Sequence, residues 1–350
     1  MSAEPILCLG IESTCDETSV AVVSSDKQIL SHIIWSQIPE HRKFGGVVPE
    51  LAARAHILAI DQVINQALLD AGKTIADIDV IAAAGGPGLI GGVLVGWNVA
   101  RGLSQASGKP LVAVNHLEGH ALVPRLTGDA EFPYLLLLVS GGNCQILLAR
   151  GVGDYEIMGR TIDDSIGEAF DKVAKMLGLP YPGGPEIDRL ADSPLVGESA
   201  AVPPVGGQFH FPRPLLGAPG CDFSFSGIKT SARMQLEKLG RPLTEPERAA
   251  FCREFQTAAI DCLIDRLRNA FKALKTPVSA LVVAGGVAKN SLLREILPKL
   301  AVEYGVKFAA PRLDLCTDNG AMIAWAGIEN FLAGITAPID FAPKPRWPLA

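Results

Sequence analysis

The chain has 350 residues and a net charge of −6, and 48% of its residues are hydrophobic against 19% that are charged. This size allows a large hydrophobic core and suggests two lobes rather than one. The negative net charge argues against a protein that binds nucleic acid through its overall charge. A nucleic-acid partner must therefore bind to local basic patches or through another protein.

Three features indicate a cytoplasmic protein without a membrane segment. Residues 1–10 carry no basic stretch and no long apolar core, so we expect no signal peptide. The longest uncharged apolar run lies between Asp79 and Arg101, but Gly-Gly-Pro-Gly at 85–88 interrupts it, which favours strand, loop and helix over a bilayer span. Seven scattered cysteines with no CxxC pair indicate reduced thiols.

The N-terminal region predicts two strands joined by a polar turn. The apolar runs at 6–10 and 19–24 flank a turn of hydroxyl and carboxylate residues at 11–18. Actin-like and sugar-kinase-like ATPases open in this way, with a turn that offers donors to phosphates. An ordinary hairpin has the same composition. A third strand and a helix from Pro49 follow, and near the start of that helix we expect Arg54 and His56 on a solvated face.

A possible metal site follows the strand predicted at 111–114. His116 and His120 are four residues apart, so on a helix both imidazoles can reach one cation. Glu118 points away from that face, which makes it a poor general base for a zinc peptidase. Two histidines that cap a helix or face solvent remain the alternative. Asp318, just before the last apolar helix, is the candidate for the third ligand.

The second half repeats the opening pattern. An apolar strand at 133–139 ends in Ser140-Gly141-Gly142-Asn143, and another strand follows at 146–149. Two such turns, one in each half, are what a two-lobed ATPase-like fold needs, although an ordinary hairpin again remains possible. The helix that opens near residue 161 is acidic, and Asp171 lies too far along it to serve only the helix dipole.

Glycines mark two further places where backbone can approach a ligand. Gly183 and Gly184 stand between prolines, and Gly285-Gly286 separates a predicted strand at 280–284 from a helix. Between them, residues 193–220 are rich in proline and glycine and predict an irregular loop.

Seven motifs occur in an order that closely resembles one family, the tRNA adenosine threonylcarbamoyltransferases. These are the TsaD or YgjD proteins, formerly called O-sialoglycoprotein endopeptidases, and the resemblance covers nearly the whole chain. The motifs are Asn115-His-Leu-Glu-Gly-His120, Val139-Ser-Gly-Gly142, Gly167-Glu-Ala-Phe-Asp171-Lys, Pro182-Gly-Gly184, Phe223-Ser-Phe-Ser-Gly-Ile-Lys229, Gly285-Gly-Val-Ala-x-Asn290 and Thr317-Asp-Asn319.

The resemblance implies an α/β fold of the actin, Hsp70 and sugar-kinase (ASKHA) type, with an interlobe nucleotide cleft. The expected lobes are residues 1–125 plus 320–350, and residues 126–319. The resemblance also implies one divalent metal, Fe2+ in the first place with Zn2+ or Mg2+ open. Its implied ligands are His116, His120 and Asp318.

The same resemblance implies threonylcarbamoyl-AMP as the substrate that donates the acyl group. The residues implied to bind it are Leu138, Val139, Ser140, Gly141 and Gly142, with Asp171, Gly184, Asp188 and Asn290 around its adenylate part. Asp171 is also the candidate catalytic residue, either orienting the adenylate or helping to move a proton. Asn143 departs from the bacterial family, which usually has histidine there, and we expect an altered loop contact without loss of activity.

The implied reaction moves threonylcarbamoyl to N6 of adenosine 37 in tRNAs that read codons beginning with A. The implied partners are tRNA, a TsaB-like paralogue without a metal site that forms a heterodimer, and a small TsaE-like ATPase. The glycines at 88, 92 and 96 share one face of a predicted helix and are our candidate surface for the paralogue. A kinase or ATPase of the same fold is the main alternative. A metallopeptidase is less well supported, and a scaffold is disfavoured because the proposed ligands are all retained.

Overall fold

The computed structural model describes residues 4–128, 130–192 and 208–350. Two compact units make up the chain: unit 1 is Met1–Phe132, Ala149–Tyr155 and Ala310–Ala350, and unit 2 is Pro133–Leu148 and Glu156–Ala309. Asp318 therefore falls in unit 1, whereas the expected lobe boundary assigned it to the other lobe. Part of the irregular loop predicted at 193–220 lies outside the described residues, and 208–220 forms neither helix nor strand.

Strands and helices alternate along much of the chain. The strands are β1 (Leu7–Glu12), β2 (Glu17–Ser24), β3 (Ile29–Ser36), β4 (Val80–Gly86), β5 (Leu111–Asn115), β6 (Tyr134–Val139), β7 (Cys144–Gly151), β8 (Asp154–Arg160), β9 (Ala280–Ala284) and β10 (Lys307–Ala309). The helices are α1 (Ile38–Arg42), α2 (Pro49–Asp70), α3 (Ile90–Ser107), α4 (His116–Leu126), α5 (Ile166–Met176), α6 (Gly183–Ala191), α7 (Ser226–Leu239), α8 (Glu245–Ala273), α9 (Ser291–Glu303) and α10 (Gly320–Leu332). Short 3-10 turns occupy Ile75–Asp77, Gly286–Lys289 and Leu313–Leu315.

The two sheets have the same topology. One has the strand order β3-β2-β1-β4-β5, and the other has β10-β9-β6-β7-β8. In the first sheet β1, β2 and β3 are antiparallel neighbours, while β4 and β5 run parallel to β1. In the second, β9 is parallel to both β6 and β10. The repeated strand, turn and strand pattern of the sequence thus corresponds to a repeated fold.

Helices cover both faces of the first sheet, because alternate strand residues point to opposite sides. Cys8 and Ala82 belong to a core with α4 and α10, whereas Leu9 and Ile81 belong to a core with α2 and α3. This double coverage explains why β4 is an apolar run with every residue buried. Among the described residues, no helix has the length and apolar character that a bilayer span requires.

The glycine face of α3 points into unit 1. A Cβ atom on Gly92 would lie 2.3 Å from Ser13 O, and one on Gly96 would lie 2.3 Å from Ser13 Oγ. Ser13 Oγ donates to Gly92 O at 2.9 Å and accepts from Gly96 N at 3.1 Å. The expectation that these glycines pack against a partner protein is therefore wrong, since they allow α3 to approach the turn after β1.

His56 lies in the interior, not on the solvated face that was expected for it, while Arg54 is exposed. Thr18 Oγ1 and Gln37 Nε2 lie 2.8 and 3.2 Å from His56 Nδ1, and Cys15 O lies 3.1 Å from His56 Nε2. Because the Gln37 amide nitrogen can only donate, Nδ1 accepts and Nε2–H donates, which is the neutral imidazole. Burial lowers the pKa of His56 accordingly.

The C-terminal segment after α10 lies against the carboxyl ends of β4 and β5. Lys344 N donates to Gly85 O at 2.8 Å. The Phe341 ring packs against Trp97 with centroids 4.9 Å apart and against Trp347 at 5.5 Å. Asn115 Nδ2 also donates to Trp347 O at 3.2 Å, which places the end of this segment beside the start of α4.

The close approach at Gly92 predicts that even one methyl group is costly there. We expect Gly92→Ala to lower the free energy of unfolding by about 1–3 kcal/mol, the usual range for overpacking. Gly102, on the same helix, has nothing within 4 Å of its Cβ position. Gly102→Ala should therefore raise stability by about 0.5–1 kcal/mol. Urea unfolding of both variants is the measurement, and equal effects would contradict the buried glycine face.

The neutral, buried His56 predicts acid-sensitive stability. Because folding lowers the pKa of His56, the unfolded chain binds more protons than the folded chain once the pH falls below about 6.5. We expect the free energy of unfolding to fall as the pH is lowered from about 7 to about 5, by at most about 1.4 kcal/mol per pH unit from this group. This contribution should be absent from His56→Gln.

The measurement is urea unfolding of the metal-free protein at both pH values. The exposed His210 provides a matched control, since His210→Gln should retain the pH dependence of the wild type. If His56→Gln also retained it in full, the neutral buried imidazole would be the wrong description.

Candidate functional site

The two histidines of the candidate metal site open α4. Asn115 begins this helix, because its side-chain oxygen accepts from Leu117 N at 2.9 Å. The Asn115 side-chain amide also donates to the backbone oxygen of Trp347 in the C-terminal segment. His116 and His120 then follow on one face, with ring centroids 4.9 Å apart and ring planes nearly perpendicular. The sequence predicted this placement.

Asp318 completes a three-residue group in unit 1. Its Oδ1 lies 3.0 Å from His120 Nε2 and 3.4 Å from His116 Nε2. One ligand atom from each of the three residues lies within 4.8 Å of the others. Two ligands bound at about 2.1 Å to one cation stand about 3.0–3.4 Å apart when they subtend 90–110°. The donor atoms therefore fit a divalent metal bound by two imidazoles and one carboxylate.

The charges of the group also fit a cation. Burial opposes a charged His116, but Asp318 and Glu12 outweigh it and raise the pKa of His116 well above its usual value. Burial likewise opposes a charged Asp318, yet His116 and His120 lower the pKa of Asp318. The two carboxylates together thus favour positive charge at this place.

Glu12 and Thr14 contact the metal group, and sequence reasoning had not singled them out. Glu12 Oε2 lies 3.0 Å from His116 Nδ1, and Thr14 Oγ1 lies 3.1 Å from the same nitrogen. Thr14 N donates to Glu12 Oε1 at 2.6 Å. The sequence offered one signal for Glu12: a carboxylate ends an otherwise apolar strand. A carboxylate is costly to bury without a partner, so a partner was to be expected.

Glu118 has a structural role away from the histidine pair. Its Oε1 accepts from Gly153 N at 2.8 Å and from the Tyr155 hydroxyl at 3.1 Å, and its Oε2 accepts from Asn330 Nδ2 at 3.1 Å. These bonds tie α4 to the hairpin between β7 and β8 and to α10. The expectation that Glu118 points away from the metal group is confirmed.

The turn between β1 and β2 is a poor site for a phosphate by itself. Its Thr14 N–H is used by Glu12, and the Ser13 hydroxyl is used by Gly92 O. Burial, together with the charges of Asp16 and Asp318, raises the pKa of Glu17 well above its usual value. An anion brought to this turn would meet several carboxyl groups.

In unit 2, the turn after β6 is held from two sides. Ser140 N donates to Asn143 O at 2.8 Å, and Asn143 N donates to Ser140 Oγ at 3.1 Å. A Cβ on Gly167 would lie 2.5 Å from Ser140 O, and one on Gly285, whose φ is +92°, would lie 2.3 Å from Val139 O. Only glycine permits these approaches. They bring the start of α5 and the end of β9 against the turn.

The glycines of this turn leave its backbone open. Gly141 and Gly142 are exposed, and nothing lies within 4 Å of their Cβ positions. The expected donor-binding stretch from Leu138 to Gly142 therefore begins in the buried end of β6 and finishes in an accessible turn.

The other expected adenylate residues form two hydrogen-bonded groups in unit 2. Asp171 Oδ1 accepts from Gly183 N at 2.8 Å and from Gly184 N at 3.3 Å at the start of α6. Asp188 Oδ1 accepts from Asn290 Nδ2 at 3.0 Å. Each predicted aspartate thus contacts a predicted glycine or asparagine, and these bonds join α5 to α6 and α6 to the start of α9.

The Phe223–Lys229 motif is explained by helix capping. Asp163 accepts from Phe225 N at 2.8 Å and from the hydroxyls of Ser224 and Ser226, at 2.5 and 2.7 Å. These bonds outweigh burial and lower the pKa of Asp163. Lys229 bonds to Asp164. Much of the acidic run before α5 therefore holds the start of α7.

Comparison with known proteins identifies a family. A family model described as TsaD, tRNA N6-adenosine threonylcarbamoyltransferase, matches residues 28–325. A protein of that name from Paramagnetospirillum magneticum is 53% identical over 347 residues, which cover 98% of this chain and 97% of that protein. One from Rhodospirillum rubrum is 52% identical and covers 99% of this chain and 95% of that protein.

Solved structures share the fold at low identity. Full-length HypF in a phosphate- and nucleotide-bound form matches 93% of this chain and 46% of that chain, with a TM-score of 0.58 and 13% identity. The activator of 2-hydroxyisocaproyl-CoA dehydratase from Clostridium difficile matches 94% and 97%, with a TM-score of 0.51 and 12% identity. These likenesses concern the fold alone, and they confirm the actin-like ASKHA class.

Proposed function

The chain belongs to the family of tRNA N6-adenosine threonylcarbamoyltransferases, and on this premise we propose that it transfers threonylcarbamoyl from threonylcarbamoyl-AMP to N6 of adenosine 37 in tRNA. The tRNAs concerned read codons that begin with A. The observation that carries the proposal beyond family membership is the convergence of His116, His120 and Asp318 in unit 1.

We propose that this group holds one divalent metal, Fe2+ by family resemblance. Two imidazole nitrogens and one carboxylate suit Fe2+ or Zn2+ better than Mg2+, which prefers oxygen ligands. When bound, the metal supplies Lewis-acid polarisation of the threonylcarbamoyl carbonyl. The protein's part is to fix the two imidazole rings through the first turns of α4 and to bring Asp318 against them through the start of α10.

The residues of unit 2 are proposed to bind the donor's adenylate part. The open backbone at Gly141 and Gly142 allows a flat or charged group to approach without meeting a side chain. Asp171 Oδ1 already accepts from two backbone N–H groups. We therefore propose that Asp171 orients the adenylate by holding Gly183 and Gly184 in place, in preference to the proton-transfer role.

Specific contacts disfavour the two alternative activities. A kinase or ATPase needs donors for phosphate in the turn after β1, but Glu12 and Gly92 use the donors of Thr14 N and Ser13 Oγ. A metallopeptidase of the H-E-x-x-H type needs a carboxylate that faces the metal-bound water. Glu118 is instead bonded to Gly153, Tyr155 and Asn330.

We propose tRNA, a TsaB-like protein and a TsaE-like ATPase as the partners, and the cytoplasm as the place of action. The acidic net charge suits a subunit that receives tRNA with the help of a partner. For the TsaB-like protein we propose the exposed apolar face of α2 and α3. It comprises Leu51, Leu58, Ile90 and Leu94, which are spaced by seven residues on α2 and by four on α3, as one helix face requires.

The transfer reaction predicts a loss of modified tRNA when the metal ligands are changed. With pre-made threonylcarbamoyl-AMP and its partner proteins, His116→Ala and Asp318→Asn should lower the rate at least about 100-fold, because the first removes a ligand of the metal and the second replaces a charged carboxylate ligand with a neutral amide. The rate is followed by nucleoside analysis of the tRNA. His210→Ala replaces an exposed histidine of unit 2 and should keep the wild-type rate.

Two results would separate the parts of this proposal. Normal threonylcarbamoyladenosine in bulk tRNA after depletion of the protein would refute the transfer activity. A wild-type rate for His116→Ala, or for protein stripped of metal, would refute the metal's role while leaving the activity in place.

The partner surface predicts that a charge on α2 breaks the heterodimer. Leu58 is 75% exposed, so Leu58→Glu should leave the fold intact and weaken association with the TsaB-like protein more than about 10-fold, by removing apolar contact and burying a charge. Val302, on α9 of unit 2, is 79% exposed, and Val302→Glu is the matched control. Analytical ultracentrifugation that found both variants equal to wild type would reject this surface.

A further inference from the structure

We infer that Glu12 is a positioning residue of the metal centre, and that it acts through His116. Glu12 Oε2 accepts from His116 Nδ1–H, which directs His116 Nε2 toward Asp318 and His120. The inference deepens the proposed function, since it rests on the metal site proposed for His116, His120 and Asp318. It concerns the affinity of that site for a metal and does not depend on which reaction the metal serves.

The contacts of the His116 ring give its two nitrogens different roles: Nδ1 is a hydrogen-bond donor and Nε2 is the proposed metal ligand. Nδ1 faces Glu12 Oε2 at 3.0 Å and Thr14 Oγ1 at 3.1 Å. Nε2 faces Asp318 Oδ1 at 3.4 Å. A ring that binds a metal through one nitrogen carries its proton on the other. The carboxylate on the Nδ1 side therefore selects the tautomer in which Nε2 is the ligand.

Both carboxylate oxygens of Glu12 have hydrogen-bond partners. It is fully buried, and a buried carboxylate is costly unless it is bonded. Oε1 accepts from Thr14 N at 2.6 Å, so Oε2 is left to face His116. The adjoining Ser13 bonds to Gly92 and Gly96 of α3. The glycine face of α3 thus supports the turn that carries Glu12.

Glu12 stands outside the group of metal ligands. It lies on the Nδ1 side of the His116 ring, whereas Asp318 lies on the Nε2 side. The three residues whose ligand atoms converge do not include it. Its contact with the ligand group is the hydrogen bond to His116 Nδ1.

The second histidine has no such support. His120 Nδ1 is buried and has no hydrogen-bond partner within the described part of the chain. The two rings from α4 are thus held unequally: both face Asp318 through Nε2, but only His116 also has a carboxylate on its Nδ1 side. If Glu12 were lost, neither ring would have a carboxylate bonded to its Nδ1 among the described residues.

The test is a titration of the metal-free protein with Zn2+, used as a diamagnetic probe in competition with a chelator. Glu12→Gln should weaken the affinity for Zn2+ about 10–100-fold, the usual effect of removing a carboxylate behind a ligating histidine. Glu12→Asp keeps the charge but is one methylene too short to reach, so it should also bind more weakly than wild type. Thermal melting of the metal-free proteins checks that each variant folds.

Glu118→Gln is the matched control. Glu118 is another buried carboxylate, it lies on α4 between the two histidines, and none of its three partners belongs to the metal group. The same chemical change there should leave the affinity for Zn2+ within about 2-fold of wild type, as expected for a group that contacts no ligand. A general effect of neutralising a buried carboxylate would weaken both variants alike.

A spectroscopic readout separates positioning from mere stability. In the Zn2+-loaded wild type, proton NMR should show a downfield, slowly exchanging N–H signal from His116 Nδ1. In Glu12→Gln this signal should move upfield and exchange faster, while Glu118→Gln should keep it.

Several outcomes would overturn the inference. These are wild-type affinity for Zn2+ in Glu12→Gln, wild-type affinity in Glu12→Asp, an equal loss in Glu118→Gln, or an unchanged N–H signal. Failure of the wild-type protein to bind Zn2+ would overturn it together with the metal site. Because the titration contains neither threonylcarbamoyl-AMP nor tRNA, failure of the transferase assay would leave these results standing.

Discussion

Unit 1 depends on a series of mutually bonded ionisable groups that runs from the buried Glu12 and His116 to the half-buried Asp318 and the buried His120. Each of these groups would be costly to bury alone. Burial is tolerated because carboxylates and imidazoles alternate and bond to one another. The series joins the end of β1, the first turns of α4 and the start of α10. Three elements distant in sequence are therefore held at one place by electrostatics as well as by their apolar cores.

The packing around these bonded groups follows from the need to keep Glu12 in contact with His116. A carboxylate at the end of β1 can face His116 only if the turn after it is fixed, and α3 fixes that turn by approaching it closely. Glycine at 92 and 96 is what makes the approach possible, since a Cβ atom at either would overlap Ser13. The glycine face of α3 thus serves internal packing, and the apolar side chains that α2 and α3 expose lie elsewhere on those helices.

The sequence predicted most strands, the long helices and the three converging ligands, because these carry strong local signals. The strands at Leu111–Asn115 and Ala280–Ala284 agree closely with their predicted spans, 111–114 and 280–284. β8 and the helical start at Gly183 were missed, since β8 alternates without a strong apolar face and two glycines rarely begin a helix. The contact of Glu12 with His116 and the burial of His56 could not be predicted from the sequence. His116 lies 104 residues from Glu12, the partners of His56 lie 19–41 residues from it, and only the fold brings these groups together.

Glu118 shows how a stretch with two histidines four residues apart can support one chemistry and exclude another. In the helix of an H-E-x-x-H metallopeptidase, the carboxylate next to the first histidine faces the metal and activates water. Here the spacing turns the carboxylate by roughly a further 100°, and the protein uses it to hold the β7–β8 hairpin and α10. Glu118 is therefore not a base for the proposed metal group. A site of this kind suits the binding and polarising of an acyl group whose attacking amine arrives from outside, as the amine of a tRNA base does.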